Sequence, residues 1–124
     1  MNAISQAQRA YSSASSAPIR TTRGAEYDAI ARITYQLKTA AAKGPDGFAA
    51  LVDAMQSNNK LWQIFAIDVA DKGNSLPKEL KAQIFYLAEF TRQHTSKVLA
   101  RRANVAPLLD INLAILRGLR AGVE

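Results

Sequence analysis

The stretch PKELKAQIFYLAEFTRQHTSKVLARR, residues 77–102, decides the fold class. Within it Leu80, Ile84, Leu87, Thr91, His94 and Val98 recur at intervals of three and four, which is the period of a helix face and not of a strand. Pro77 and Glu79 suit a first turn, where a proline costs no hydrogen bond and the peptide dipoles favour a carboxylate. The spacing predicts one long helix from Ser75–Pro77 to about Arg102. At 1.5 Å per residue it would run roughly 35–40 Å, the spine of a small bundle. Phe85, Tyr86 and Phe90 lie to either side of the stripe and widen the apolar surface.

Upstream, Lys60 to Asp71 carries Leu61, Trp62, Ile64, Phe65, Ala66, Ile67, Val69 and Ala70 with little polar surface between them. A helix apolar nearly all round is either central in a bundle or covered by a partner. Asp68, in the middle of this segment, is expected to be a buried carboxylate paired with Arg92 or with the backbone near Asn74, because an unpaired buried charge is costly. Phe48, Leu51, Val52 and Met55 form the face of the preceding helix, with Asp46 as its expected cap. Ser57, Asn58 and Asn59 interrupt the pattern, so the two segments are one kinked helix or two.

Further out, Tyr27, Ile30, Ile33, Thr34, Leu37 and Ala41 predict a helix over 24–43, stopped by Gly44-Pro45. Pro107 opens a last helix with Leu108, Ile111, Asn112, Ile115 and Leu119 inward. A buried asparagine on such a stripe usually aligns neighbouring helices. Ile4, Ala7 and Tyr11 mark a short helical arm, and the serine-rich stretch after it reads as a linker. The expected organisation is an arm with its linker over 1–22 and a bundle domain over 23–124. The fold class is all-α, an antiparallel bundle of four to five helices with a short N-terminal helical arm.

A chain of 124 residues with 48% hydrophobic content can bury a sizeable core without metals or disulfides. It has no cysteine, which excludes a disulfide scaffold and thiolate metal sites. Met1 to Tyr11 lacks the apolar run of a signal peptide, and no stretch reaches membrane-spanning length. A cytoplasmic protein with no membrane contact is expected.

The net charge of +6 raises the question of nucleic acid. The excess is spread along the chain, with acids mixed in throughout. Arg92, Lys97, Arg101 and Arg102 along the end of the long helix are the residues that could touch RNA phosphates.

Candidates for catalysis are few. His94 is the single histidine, and one histidine without clustered carboxylates makes a weak metal site. No phosphate-cradling glycine motif and no nucleophile elbow is present. The expectation is a binding protein, not an enzyme, with no cofactor and no metal. Leu61, Trp62, Phe65, Tyr86 and Phe90 are the candidate partner-binding residues, since aromatic side chains dominate protein-binding hot spots.

The chain also resembles a known family. The resemblance rests on Leu61-Trp62, Asp68, Asn74-Ser75-Leu76-Pro77 and the run Phe85-Tyr86-Leu87-Ala88-Glu89-Phe90-Thr91-Arg92-Gln93-His94. It continues through Val105-Ala106-Pro107-Leu108, Ile111-Asn112 and Arg117-Gly118-Leu119, and includes the opening Gln6-Ala7-Gln8-Arg9-Ala10-Tyr11. In order and spacing these pieces resemble the FlaF family of flagellar biosynthesis regulators from alphaproteobacteria. The resemblance implies flagellin handling: binding of flagellin as a secretion chaperone or as a regulator of its synthesis, in functional partnership with the translational regulator FlbT. It implies no catalytic residues. Direct contact with flagellin messenger RNA through the basic residues is the competing expectation. The sequence leaves open whether a spare apolar face closes a homo-oligomer.

Overall fold

The computed structural model describes residues 17–123, with side chains described over 26–117. The expected arm, residues 1–11, lies outside the described residues. Four helices follow one another: α1 Ala17–Ala42, α2 Phe48–Ala70, α3 Lys78–Leu99 and α4 Ala106–Val123, with a 3-10 turn Gly44–Gly47 between the first two. α1 lies along α2, α2 along α3, and α4 along α1, whereas α3 and α4 meet over the shortest stretch. The backbones of α1 and α3, and of α2 and α4, stay apart across the two diagonals. This ring of neighbours is a four-helix bundle, the all-α class that the residue spacing predicts.

The boundaries depart from expectation in two places, at the start of α1 and the end of α3, and of the two alternatives for the segments around Ser57–Asn59 the structure has the single helix. α1 begins at Ala17, so residues 17–22 are helical and not linker. Pro18 falls in its first turn, where a fixed φ near −65° suits a helix. α2 runs unbroken through Ser57, Asn58 and Asn59. Asn58 faces inward and is fully buried, so its bonding inside the bundle outweighs the weak helix propensity of asparagine. α3 ends at Leu99 instead of near Arg102. There Arg101 takes φ +60°, and the Arg101 and Arg102 N–H groups donate to the Val98 and Lys97 carbonyls, both at 2.9 Å. This left-handed cap closes the helix three residues early.

The connections are held by local bonds. Asp46 belongs to the 3-10 turn, and α2 has no side-chain cap, so the expected Asp46 cap is not formed. Gly44 turns with φ +64°, and Gly47 lies so close to α1 that a Cβ on it would stand 2.4 Å from the Ala40 carbonyl oxygen. Between α2 and α3, the Asn74 amide donates to the Asp68 carbonyl at 3.0 Å and accepts from the Leu76 N–H at 2.9 Å. The Asp68 carboxylate itself is exposed, which corrects its expected burial: only its backbone meets Asn74. At the start of α4, Asn104 Oδ1 accepts the Ala106 N–H at 3.0 Å.

Three apolar clusters fill the interior. Ile33, Leu37, Met55, Val98, Val105 and Leu108 occupy the end near the α3–α4 corner. Ile30, Trp62, Ile115 and Leu116 join α1, α2 and α4 further along, with Leu87 and Ala88 of α3 packed on them. Val69, Leu76, Leu80 and Ile84 seal the far end of the α2–α3 pair. Each fully buried aliphatic side chain contributes about 1.5–3 kcal/mol of transfer free energy.

Polar side chains are also buried, and all four helices supply them: Thr34, Asn58, Thr91, Thr95 and Asn112. Thr34 and Thr95 return their hydroxyls to the carbonyls of Ile30 and Thr91, at 2.6 and 2.7 Å. Asn112 instead reaches across a diagonal. Its amide nitrogen donates to Asn58 Oδ1 at 2.8 Å, and its oxygen accepts the Trp62 indole N–H at 3.1 Å. The sequence-based expectation of an inward asparagine on the last helix is met, and its partners are on α2.

Candidate functional site

The five candidate partner-binding residues divide by exposure. Trp62 is 2% exposed, sits in the core against Ile30 and Ile115, and contacts Phe65 edge-on with ring centroids 5.4 Å apart. It is a core residue in this structure, and its expected place on an open surface is corrected. The reason is the helical period: Met55, Asn58, Trp62, Phe65 and Val69 are spaced three and four apart and form the inner stripe of α2. Leu61 and Phe65 are half-buried, each bridging two apolar clusters. Phe90 is half-buried and stacks on His94, with centroids 5.4 Å apart and planes 10° from parallel. Tyr86 is open to solvent at 67%.

Large apolar groups outside the five candidates are also exposed, among them Ile64, Ile67 and Phe85. Ile64 and Ile67 stand on the outer face of α2, opposite the Trp62 stripe, and Ile67 is 69% exposed. Phe85 joins Tyr86 on the outer side of α3. The Thr95 hydroxyl donates to Asn59 Oδ1 at 3.2 Å, and Val69 packs with Leu80, which fixes how the two helices pass. Ile64 and Ile67 therefore stand at about the height of Phe85 and Tyr86 along the pair. Four large apolar side chains are thus exposed on these two adjacent helices, Ile64 and Ile67 on α2 and Phe85 and Tyr86 on α3. The sequence carried the signal for the isoleucines: both fall half a helical turn from Trp62's stripe, as a period of 3.6 residues requires.

His94 stands at a corner of the bundle. Its Nε2 lies 2.7 Å from the Asn104 carbonyl oxygen, so it ties α3 to the corner before α4. No group of three or more His, Asp or Glu side chains among the described residues could hold a metal ion. A groove of about 310 Å³ between α1 and α2 is lined by Gln36, Thr39, Lys43, Asp53 and Ser57 among alanines, and offers no apolar stripe. No helix among the described residues is long and apolar enough to cross a membrane.

The four basic candidates do not form one face. Arg92 and Lys97, five residues apart on α3, point about 140° away from each other at 100° per residue. Arg92 is occupied by Glu89, which also accepts from Gln93 at 3.0 Å. These bonds hold the Glu89 carboxyl below its ordinary range, chiefly through Arg92 and then Gln93, and raise the guanidinium in turn. The Arg101 guanidinium stands over the Phe48 ring, 4.5 Å from its centroid, and links the α3–α4 corner to the start of α2. Lys97 and Arg102 remain exposed.

A family model described as flagellar protein FlaF matches residues 7–119, nearly the whole chain. No curated protein and no solved structure matches it.

Proposed function

The chain belongs to the FlaF family of flagellar proteins, and from that premise we propose that it binds flagellin before assembly. It acts as a secretion chaperone or as a regulator of flagellin synthesis, in partnership with the translational regulator FlbT, and works in the cytoplasm. The role is binding and not catalysis.

The physical need is plain. An amphipathic helix destined for a filament has an apolar stripe with no partner until it is built in. A helical protein with exposed apolar side chains can cover that stripe as an additional neighbour. The observation that supports this reading is the exposed group Ile64, Ile67, Phe85 and Tyr86, with the half-buried Phe90 nearby on α3. Large apolar side chains on two adjacent helices are costly to leave in water unless something covers them.

Co-expression with flagellin, followed by size-exclusion chromatography with light scattering, tests the proposal. A one-to-one complex that persists in moderate salt is expected, weakened by Ile67→Ala or Tyr86→Ala in variants that fold normally. Contact with messenger RNA would instead weaken steeply with salt and depend on Arg92, Lys97, Arg101 and Arg102. No flagellin complex at any salt concentration would overturn the client reading.

A further inference from the structure

We propose that residues 3–11 of this chain dock as a short helix on the outer face of α2, against Ile64, Ile67 and the neighbouring Phe85 of α3. These three side chains are 54%, 69% and 46% exposed.

The face has a definite place in the bundle, because the large apolar groups of α3 fall on two sides. Tyr86, Phe90 and His94 follow at intervals of four. Phe90 stacks on His94, and His94 bonds the Asn104 carbonyl ahead of α4, so this stripe lies on the α4 side. Lys81 Nζ instead donates to the Asn74 carbonyl of the α2–α3 connection at 2.6 Å, and Phe85, one turn further on, shares its side. Val69 packs with Leu80 and Asn59 bonds Thr95, which brings Ile67 and Phe85 to nearly one height on the α2–α3 pair. Ile64 and Ile67, three residues apart, are neighbours on the back of α2.

The occupant follows from where the chain enters the bundle. Leu37 of α1 packs in one cluster with Met55 of α2, and Ile30 in another with Trp62, so the two helices run antiparallel. At 1.5 Å per residue, Ala17 lies about 20 Å past the Ile30–Trp62 contact and the end of α2 only about 12 Å past it. Residues 1–16 therefore set out from the end of the bundle nearer Ile67. Residues 12–16, extended, span about 20 Å, enough to round the end of α2 and reach that side chain. A helix over 3–11 is about 13 Å long and would cover the back of α2 from Asp71 to Ile64. Its own apolar stripe is Ile4, Ala7 and Tyr11, and a helix so short needs a surface to hold it. Arg9 is its one charged side chain, and Asp68 and Asp71 are exposed beside Ile67. The family match takes in residues 7–11 along with the bundle.

The chain has no cysteine, so a disulfide placed in the full chain reports the docking directly. Ala7→Cys with Ile64→Cys should crosslink within one chain at least about tenfold faster than Ala7→Cys with Lys72→Cys, whose exposed position at the same end a merely tethered arm reaches as easily. Ile67→Ser with Phe85→Ser should erase that advantage. Hydrogen exchange of the cysteine-free chain gives a second readout: amides over 5–11 should exchange at least about tenfold more slowly than those over 12–16, and the double serine variant should level them. Equal crosslinking rates, an advantage that survives the serine substitutions, or crosslinks formed only between chains, which would put the arm on a second copy, would overturn the proposal.

That the docked arm competes with a client rests on the reading above; the docking itself does not. Oxidising the Ala7–Ile64 pair should lower the affinity for flagellin at least about tenfold, and reduction should restore it. Unchanged affinity in the locked chain would overturn the competition and leave the docking standing, whereas a chain that crosslinks but binds no flagellin in either state would overturn the client alone.

Discussion

The Trp62 indole donates to Asn112 Oδ1 at 3.1 Å across the α2–α4 diagonal, while the same asparagine donates to Asn58, one helical turn from Trp62. Truncating either amide strands the other. Asn58→Ala and Asn112→Ala should each cost about 1–3 kcal/mol by the desolvation of the orphaned partner alone. The double variant should cost less than their sum, with a coupling of about 0.5–3 kcal/mol, measured by urea denaturation in a double-mutant cycle. Strict additivity would show that the two amides do not interact.

Trp62 is the single tryptophan. Its emission should be blue-shifted and resistant to acrylamide in the native state, then red-shifted and quenchable on unfolding. Trp62→Ala should lose about 3–5 kcal/mol, the cost of an emptied aromatic site. A native spectrum typical of exposed indole would place the side chain at the surface.

Gly47→Ala is a test of the corner between α1 and α2. The added Cβ would stand 2.4 Å from the Ala40 carbonyl oxygen and 2.7 Å from Lys43 Cβ, so the turn must move away from α1. A loss of about 1–3 kcal/mol is expected, read as a lowered thermal midpoint. Unchanged stability would mean that the close approach is not maintained in solution.

Arg101 holds a left-handed conformation at φ +60° and covers the Phe48 ring. Arg101→Gly relieves about 1 kcal/mol of backbone cost and forfeits a cation–π contact of about 0.5–1 kcal/mol, so it should be nearly neutral. Arg101→Ala keeps the strain and loses the contact, and should be the least stable of the three. Thermal melts of the series give the order; alanine above glycine would contradict the conformation.

The Glu89 carboxyl is held below its ordinary value of 4.5 by Arg92 and then Gln93. A depressed folded-state pKa means the contribution is present above the ordinary value and is lost as pH falls through the lowered one. Glu89→Gln should therefore fall slightly below wild type at neutral pH and converge with it in acid. The pair is exposed, so the difference should shrink in high salt. A difference that grew on acidification would reverse the assignment.

Much of the architecture was legible because three-and-four spacing is a direct imprint of helix packing. Leu80, Ile84, Thr91 and Val98 on α3, and Leu108 and Asn112 on α4, are buried where that spacing puts them. The open alternative and the errors have local causes. Ser57-Asn58-Asn59 leave one kinked helix or two open, because asparagine is a poor helix former, and a bonding partner 54 residues away at Asn112 holds Asn58 within a single helix. Pro18 beside four serines reads as linker, yet a proline is tolerated in the first turn of a helix and lies there in α1. Trp62 could not be told from an interface residue by composition, since its segment is apolar on every side; only phase relative to Met55 and Val69 separates it from Ile64 and Ile67. The site was less legible than the fold because exposure depends on which face each neighbour covers, and that is decided by contacts distant in sequence.

Asn112 sits between two partners one helical turn apart, like a tooth between two gear teeth. Sliding α4 up or down by a turn would bring Leu108 or Leu116 against the amide of Asn58 and leave the indole without an acceptor. The vertical alignment of the fourth helix is therefore dictated from its middle and not by the length of the corner at residues 100–105. Loop lengths there could vary between relatives while the helices stay level.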